Sequence, residues 1–282
     1  MLPFNPFNGP EHADFTIQGG KPAALLVHGF PGTPAEMRPL AEALNERGWT
    51  ARGLLLPGFG SDLDSLPFRR AEDWADAIKG ALSELRTRHA PIMLVGISMG
   101  AALSLQAVTQ IPVDGLAILA PFWQLSSFVW PLLPILTRMV PSLRPFRLMK
   151  VNYKDVQVRK VFKRFFPHMN PDDPHTPIEM RKFRLHTGVF DEIRKAGSAA
   201  YRAAAHLHIP MLTVQGRQDE VAQAKMTHQL LMNYAGPFRY AEVTAGHDLL
   251  DVKHPAWEQV RALVLEFAGR FEPVPIKVRV RG

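Results

Sequence analysis

Short apolar runs alternate with longer amphipathic stretches through the first 120 residues, and this alternation is the main structural signal in the chain. Ala23–Val27 is an uninterrupted apolar run, Ala35–Arg47 has helical periodicity, Trp49–Leu56 reads as a strand and Ala71–Arg88 as a second helix. Ile92–Val95 and Gly115–Ala120 are further buried strands, with a helix from Ala101 between them. Strands of this kind separated by helices predict a mostly parallel sheet with helices on both faces, because parallel neighbours need a crossover connection. The rhythm stops after residue 120 and returns with a strand at Met211–Gln215, a helix at Ala222–Tyr234, a strand at Phe238–Val243 and a closing helix at Pro255–Phe271.

The interruption predicts an insertion. Residues 122–205 are punctuated by proline, helical in pattern and without a core strand, so they are expected to form a helical lid on a core made of 1–121 and 206–282. The apolar tract between Asp114 and Arg138 is long, but Pro121, Pro131 and Pro134 argue against one membrane-crossing helix. The tail Pro273–Arg281 alternates apolar and basic residues and reads as an edge strand, a docked extension or a frayed end. Thr33, Pro34 and Glu36 form a start signal for the first helix, with Thr33 as cap and Glu36 completing a capping box.

Charge sharpens this division. The chain carries a formal +7, while residues 122–205 hold 15 Lys/Arg against 6 Asp/Glu, so the basic excess belongs to the insertion. The cations are scattered and no nucleic-acid module accompanies them, so a solvated lid surface is expected and nucleic acid is not an expected partner. The absence of cysteine excludes a disulfide framework, a thiolate metal site and a cysteine nucleophile, and a cytoplasmic setting is expected. Met1–Asn8 lacks the basic-then-apolar order of a secretory signal.

The chemistry is carried by Gly96-Ile97-Ser98-Met99-Gly100, placed between a strand and a helix. A serine on so tight a turn exposes its hydroxyl, and the flanking glycines are required because a Cβ there would strike the neighbouring strand and helix. Ser98 is the expected nucleophile. It needs a base and a group to orient that base. Asp219 follows the strand ending at Gln215, and His247, preceded by Gly246, follows the strand ending at Val243. All three therefore fall beyond the C-terminal ends of strands, where open sheets place their ligand sites. Glu220 and Asp248 are rival acids, His206, His208 and His254 are rival bases, and Asp219 also reads as a turn or helix-capping residue.

An oxyanion formed by acyl transfer needs two amides. Met99 supplies one, and Phe30 is the natural second donor in His28-Gly29-Phe30-Pro31-Gly32-Thr33, since Pro31 has no N–H. Trp123 and Phe128 open the insertion just past a core strand and read either as the wall of an acyl pocket or as the lid's own core. No metal or organic cofactor is required, and His206-Leu207-His208 lacks a third ligand.

These motifs resemble those of the α/β-hydrolase fold, specifically the bacterial carboxylesterase and monoacylglycerol lipase group. The segment His28–Pro34 followed by Met37-Arg38-Pro39-Leu40-Ala41 is similar to that group's oxyanion loop and first helix, and Gly96–Gly100 to its nucleophile turn. The resemblance covers about residues 22–120 and, more loosely, 210–270. It implies a serine esterase with Ser98, Asp219 and His247 as triad and Phe30 and Met99 as oxyanion donors, acting on small-molecule esters of short to medium chain. Long-chain monoacylglycerols are the alternative substrate, with a transient lipid-interface contact through the lid, and a non-catalytic binding protein on the same fold is the alternative of another class. A carboxylate nucleophile, as dehalogenation requires, is absent. Peroxidase-like and carbon–carbon bond-cleaving relatives share the same triad.

Overall fold

The computed structural model describes residues 7–125, 130–148, 151–152, 154–155, 158–159, 170–182 and 184–272. Phe128 and the tail Pro273–Arg281 lie outside these, so their expected roles are not addressed by the fold. The strands of the main sheet are β1 (Phe15–Ile17), β2 (Ala23–Val27), β3 (Thr50–Leu54), β4 (Ile92–Ile97), β5 (Gly115–Leu119), β8 (Met211–Gly216) and β9 (Phe238–Val243). Their order is β1-β3-β2-β4-β5-β8-β9, parallel throughout except for β1, which runs antiparallel to β3. Strands β2, β4, β5 and β8 are buried along their whole length, as a sheet covered on both faces requires, whereas β9 at the edge is largely half-exposed.

The helices α1 (Pro34–Glu46) and α9 (Trp257–Gly269) pack together, while α2 (Ala71–Arg86), α3 (Met99–Ala107) and α7 (Gly188–Ala204) form a second group. Helix α3 is apolar on every side because it lies in the middle of the molecule, with Ala101, Leu103, Leu105 and Ala107 fully buried. Strand β1 was not visible in the hydrophobic pattern. Its Phe15 lies over Gly53, where any Cβ would come within 2.2 Å of the ring, and Arg38 stacks its guanidinium 4.0 Å from the ring centroid.

Between β5 and β8 the chain forms α4 (Leu133–Met139), α5 (Pro145–Leu148), α6 (Thr176–Lys182) and α7, with a small ladder of β6 (Ser142–Leu143) against β7 (Leu185–His186). Helix α7 packs with the core layer. It buries Ala196, Ala200 and Ala204 completely, and at Gly197 a Cβ would lie 2.1 Å from the Trp123 carbonyl oxygen. The insertion therefore ends in a helix whose alanine and glycine face is shaped for close packing against α3.

The start of α1 differs from expectation. Thr33 makes no side-chain capping bond, and its Oγ1 lies 2.8 Å from His12 Nδ1. Glu36 instead accepts the Gly29 N–H at 2.7 Å. The reason is the loop at 29–32, closed by a Gly32 N–H to Gly29 carbonyl bond of 2.9 Å, which folds over the first turn of the helix and brings a different amide to the carboxylate.

Candidate active site

Each residue singled out at a strand end is positioned by a contact that only glycine permits. Ser98 sits between β4 and α3 at φ 54°, ψ −120°, in the half of conformational space that L-residues avoid. Its N–H donates to Leu119 O at 2.9 Å, so the turn is tied to β5. A Cβ on Gly96 would come within 2.5 Å of Gly100 O, and one on Gly100 within 2.4 Å of the Val27 and His28 carbonyl oxygens. The same applies across the sheet. A Cβ on Gly216 would lie 2.2 Å from Gly246 O, so this glycine lets the loops after β8 and β9 close on one another. The Gln218 N–H to Ala245 O bond of 2.9 Å and the Arg217 N–H to Val243 O bond of 2.9 Å complete that junction.

That junction brings three distant residues into a line. His247 Nδ1 lies 2.8 Å from Asp219 Oδ2, and His247 Nε2 lies 3.0 Å from Ser98 Oγ. The Asp219 side chain is wholly buried, and its other oxygen, Oδ1, accepts the N–H groups of Val221 and Ala222, both at 2.8 Å. Four features therefore hold one carboxylate: two amides, a histidine and the fold of its own loop. The turn-capping reading of Asp219 and the histidine-orienting reading describe the two oxygens of the same group. With the imidazole proton on Nδ1, directed at the carboxylate, the Nε2 lone pair faces the Ser98 hydroxyl, which donates to it.

Two buried polar side chains were not singled out from the sequence. Gln215 is completely buried; its Nε2 donates to Ala222 O at 2.8 Å and Gly216 O at 3.0 Å, and stands 3.5 Å from Asp219 Oδ2. Its Oε1 accepts the Thr227 hydroxyl at 2.6 Å, so the amide fastens the Asp219 loop to α8 (Ala224–Met232). His28 is also completely buried. Its Nε2 accepts the Leu56 N–H at 3.1 Å, so the ring proton resides on Nδ1 and is donated to Gly29 O at 2.9 Å. Burial pushes its pKa down to about 4, so the ring is neutral and works as a fixed bridge. The only sequence sign was its place immediately before Gly29 in the loop after β2.

That loop lies directly on the serine, since a Cβ on Gly29 would be 3.0 Å from Ser98 Cβ. Phe30 follows in the same loop, with its ring edge-on to Phe59 and Phe190, and Met99 is the first residue of α3. Trp123 is placed differently. Its indole N–H donates to Met226 O at 2.8 Å and its ring stacks on Tyr201 at 4.5 Å, so it joins the insertion to α7 and α8 as a packing residue. These two contacts are those of a packing residue.

A family model supplies the deciding comparison: residues 20–237 match Hydrolase_4, described as serine aminopeptidase, S33. The chain belongs to this family. It is 37% identical over 91 residues to a thermostable monoacylglycerol lipase from Bacillus sp. (strain H-257), covering 32% of this chain and 36% of that protein. It is 34% identical over 103 residues to a carboxylesterase from Bacillus subtilis (strain 168), covering 36% and 42%. The chain thus aligns with well under half the length of either relative. A monoacylglycerol lipase from Paleococcus ferrophilus has the same fold, with a TM-score of 0.68 at 18% identity over 92% of this chain and 98% of that one. Family and fold together place the chain among the α/β hydrolases, as its motifs led one to expect. Among the described residues no helix is long and apolar enough to cross a membrane.

Proposed function

We propose that the chain is a serine carboxylic-ester hydrolase working through a covalent acyl-enzyme on short- to medium-chain esters. The observation that carries this reading is the hydrogen-bonded line Ser98–His247–Asp219, in which a hydroxyl, an imidazole and a buried carboxylate stand at 3.0 and 2.8 Å. His247 Nε2 takes the Ser98 proton as Oγ bonds to the ester carbonyl carbon. The carbonyl electrons move onto oxygen, held by the amides of Phe30 and Met99. As the intermediate collapses, the carbon–alkoxide bond breaks and the imidazolium returns its proton to the leaving alcohol. Water then repeats the sequence on the acyl-enzyme, with His247 as base, and releases the carboxylic acid and free Ser98. Asp219 holds the imidazole in its Nδ1–H form and stabilises the transient cation.

The lid role expected for residues 122–205 is carried forward for the part that precedes α7, since α7 packs into the core layer. A cytoplasmic setting belongs to the same reading. Hydrolysis of long-chain monoacylglycerol is the second reading, favoured by the local likeness to the Bacillus sp. lipase. The relay of hydrogen bonds leaves a non-catalytic role without support.

The experiment is an acyl series of 4-nitrophenyl esters from acetate to palmitate, with 1-monoacylglycerols and aminoacyl 4-nitroanilides as further arms. The reading predicts a maximum kcat/KM at short to medium acyl length. A maximum confined to long-chain monoacylglycerols moves the assignment to the second reading, and turnover of the anilides alone overturns both.

A further inference from the structure

We propose that Gln215, with its amide oriented by the Thr227 hydroxyl, is the positioning residue that keeps the Asp219 carboxylate in line with His247. The kinetic part of this inference rests on the acyl-transfer reading of the Ser98 site; the geometric part does not. Gln215 and Thr227 are both completely buried, and Gln215 is the penultimate residue of β8. Its Nε2 faces three oxygens: Ala222 O at 2.8 Å, Gly216 O at 3.0 Å and Asp219 Oδ2 at 3.5 Å. Two are main-chain carbonyls, which only accept, and the third faces the His247 Nδ1–H. A flipped amide would aim Oε1 at these oxygens, so chemistry fixes which end of the amide is which. Oε1 then stands 2.6 Å from Thr227 Oγ1, whose single proton it accepts.

This one side chain closes the loop between β8 and α8 at both ends. At its start, Gly216 O accepts the Asp219 N–H at 3.2 Å as well as the Gln215 amide. At its end, Ala222 gives its N–H to Asp219 Oδ1 at 2.8 Å and offers its carbonyl to the Gln215 amide. Asp219 is thus gripped at Oδ1 by main-chain groups whose own placement depends on Gln215. The two carboxylate oxygens move together, so fixing Oδ1 on Val221 and Ala222 also fixes the direction of Oδ2, the oxygen 2.8 Å from His247 Nδ1.

Thr227 gives this brace a rigid end. One residue before it on α8, Met226 O accepts the Trp123 indole N–H at 2.8 Å, and Leu230, about a turn further along, is completely buried. The amide therefore spans from a strand of the central sheet to a helix held in the core. Buried hydrogen-bonded networks of this kind specify one arrangement, because each bond left unmade in a low-dielectric interior is costly. Asp219 orients His247 only while Oδ2 stays on the Nδ1–H, so Gln215 acts on the reaction through Asp219 and touches no reacting atom. A side chain that served stability alone would leave the His247 tautomer and the turnover of folded molecules unchanged.

The test compares Gln215→Met, Thr227→Val, Thr227→Ser and the double variant Gln215→Met/Thr227→Val with wild type, each well below its denaturation midpoint. Side-chain nitrogen NMR at alkaline pH, where the imidazole is neutral, reads the His247 tautomer, with its signals assigned by their loss in His247→Gln. Turnover of 4-nitrophenyl butyrate reads kcat and KM. Wild type should hold the His247 proton on Nδ1. Thr227→Val leaves Gln215 Oε1 without a donor, so it should mix the two tautomers and lower kcat about tenfold with KM nearly unchanged. Thr227→Ser keeps the hydroxyl and should restore most of both. Gln215→Met should cost about a hundredfold in kcat, the scale of a roughly 1 Å misplacement. The double variant should be no worse than Gln215→Met, because Thr227 acts through Gln215. Should Gln215→Met fail to fold, the two Thr227 variants decide alone. A folded Thr227→Val with wild-type tautomer and kcat overturns the proposal, as does a loss confined to the denaturation midpoint, or mixed tautomers in wild type. A wild type inactive on the ester, with a tautomer that still responds to these variants, supports the placement of Asp219 and rejects the esterase reading, so the two failures are told apart.

Discussion

The main-chain N–H of Gly29 donates to the Glu36 carboxylate at 2.7 Å, and the same glycine stands so close to Ser98 that a Cβ would approach Ser98 Cβ to 3.0 Å. Glu36 therefore fixes the loop that lies against the serine at Gly29 and continues into Phe30. It touches no reacting atom, and its role is to position. Glu36→Ala is expected to lower kcat by between about tenfold and a hundredfold, the equivalent of the roughly 1.5–3 kcal/mol that a charged hydrogen bond contributes, with a much smaller change in KM. Glu36→Gln keeps an acceptor and should restore most of kcat. A KM effect alone, or an Ala variant as active as wild type, would contradict this role.

His28 gives a prediction about protonation. Its pKa is about 4 in the folded chain against 6.5 for the free side chain, because burial penalises the cation. The unfolded state therefore binds more protons than the native state between these values. Stability contributed by neutral His28 is full above about pH 6.5 and declines as pH falls toward 4, by roughly 3 kcal/mol in total. Side-chain nitrogen NMR should find His28 neutral, with its proton on Nδ1, at pH 5. A midpoint near 6.5 would show that the bridge between Leu56 and Gly29 is not maintained.

Trp123 is expected to matter for stability and not for acyl selectivity. Trp123→Ser removes a buried ring, its stacking on Tyr201 and its bond to Met226, and should destabilise by about 3–5 kcal/mol in denaturant titration. Ester turnover at low temperature should then change by the same factor for acetate and octanoate. A selective loss on octanoate would return Trp123 to the acyl pocket.

Asp219→Asn should fold and lose a large part of kcat, since an amide can donate to Nδ1 and so favours the wrong imidazole tautomer; in the serine-protease case the loss is about 10⁴. Asp248→Asn should leave kcat within a small factor. The reverse outcome would transfer the orienting role to Asp248.

What the sequence displayed and what it hid follow from how far each interaction reaches. The strand runs at Ala23–Val27 and Ile92–Ile97 were legible because buried parallel strands are apolar throughout, and Ser98 because its turn demands glycines at fixed spacing. Asp219 and His247 were legible through their place after strands. Strand β1 was not, since three residues carry too little pattern and its packing depends on Gly53 far along the chain. Glu36 was misread because the spacing Thr33 to Glu36 is that of a capping box, and nothing local reveals that the 29–32 loop folds over the helix. Gln215 and His28 were missed because a buried polar side chain is defined by its partners, and theirs come from other elements. Trp123 was ambiguous for the same reason, its partners Tyr201 and Met226 lying beyond the insertion's start.

The central claim is that Ser98 Oγ becomes acylated with His247 as base. The direct measurement is intact-protein and peptide mass spectrometry after rapid acid quench of the chain with a slowly deacylating 4-nitrophenyl ester. The account predicts one acyl group per chain on the peptide containing Ser98, formed with an equivalent burst of 4-nitrophenol, and neither adduct nor burst in folded Ser98→Ala. Acyl transfer to another residue, or turnover by Ser98→Ala near the wild-type rate, would contradict it.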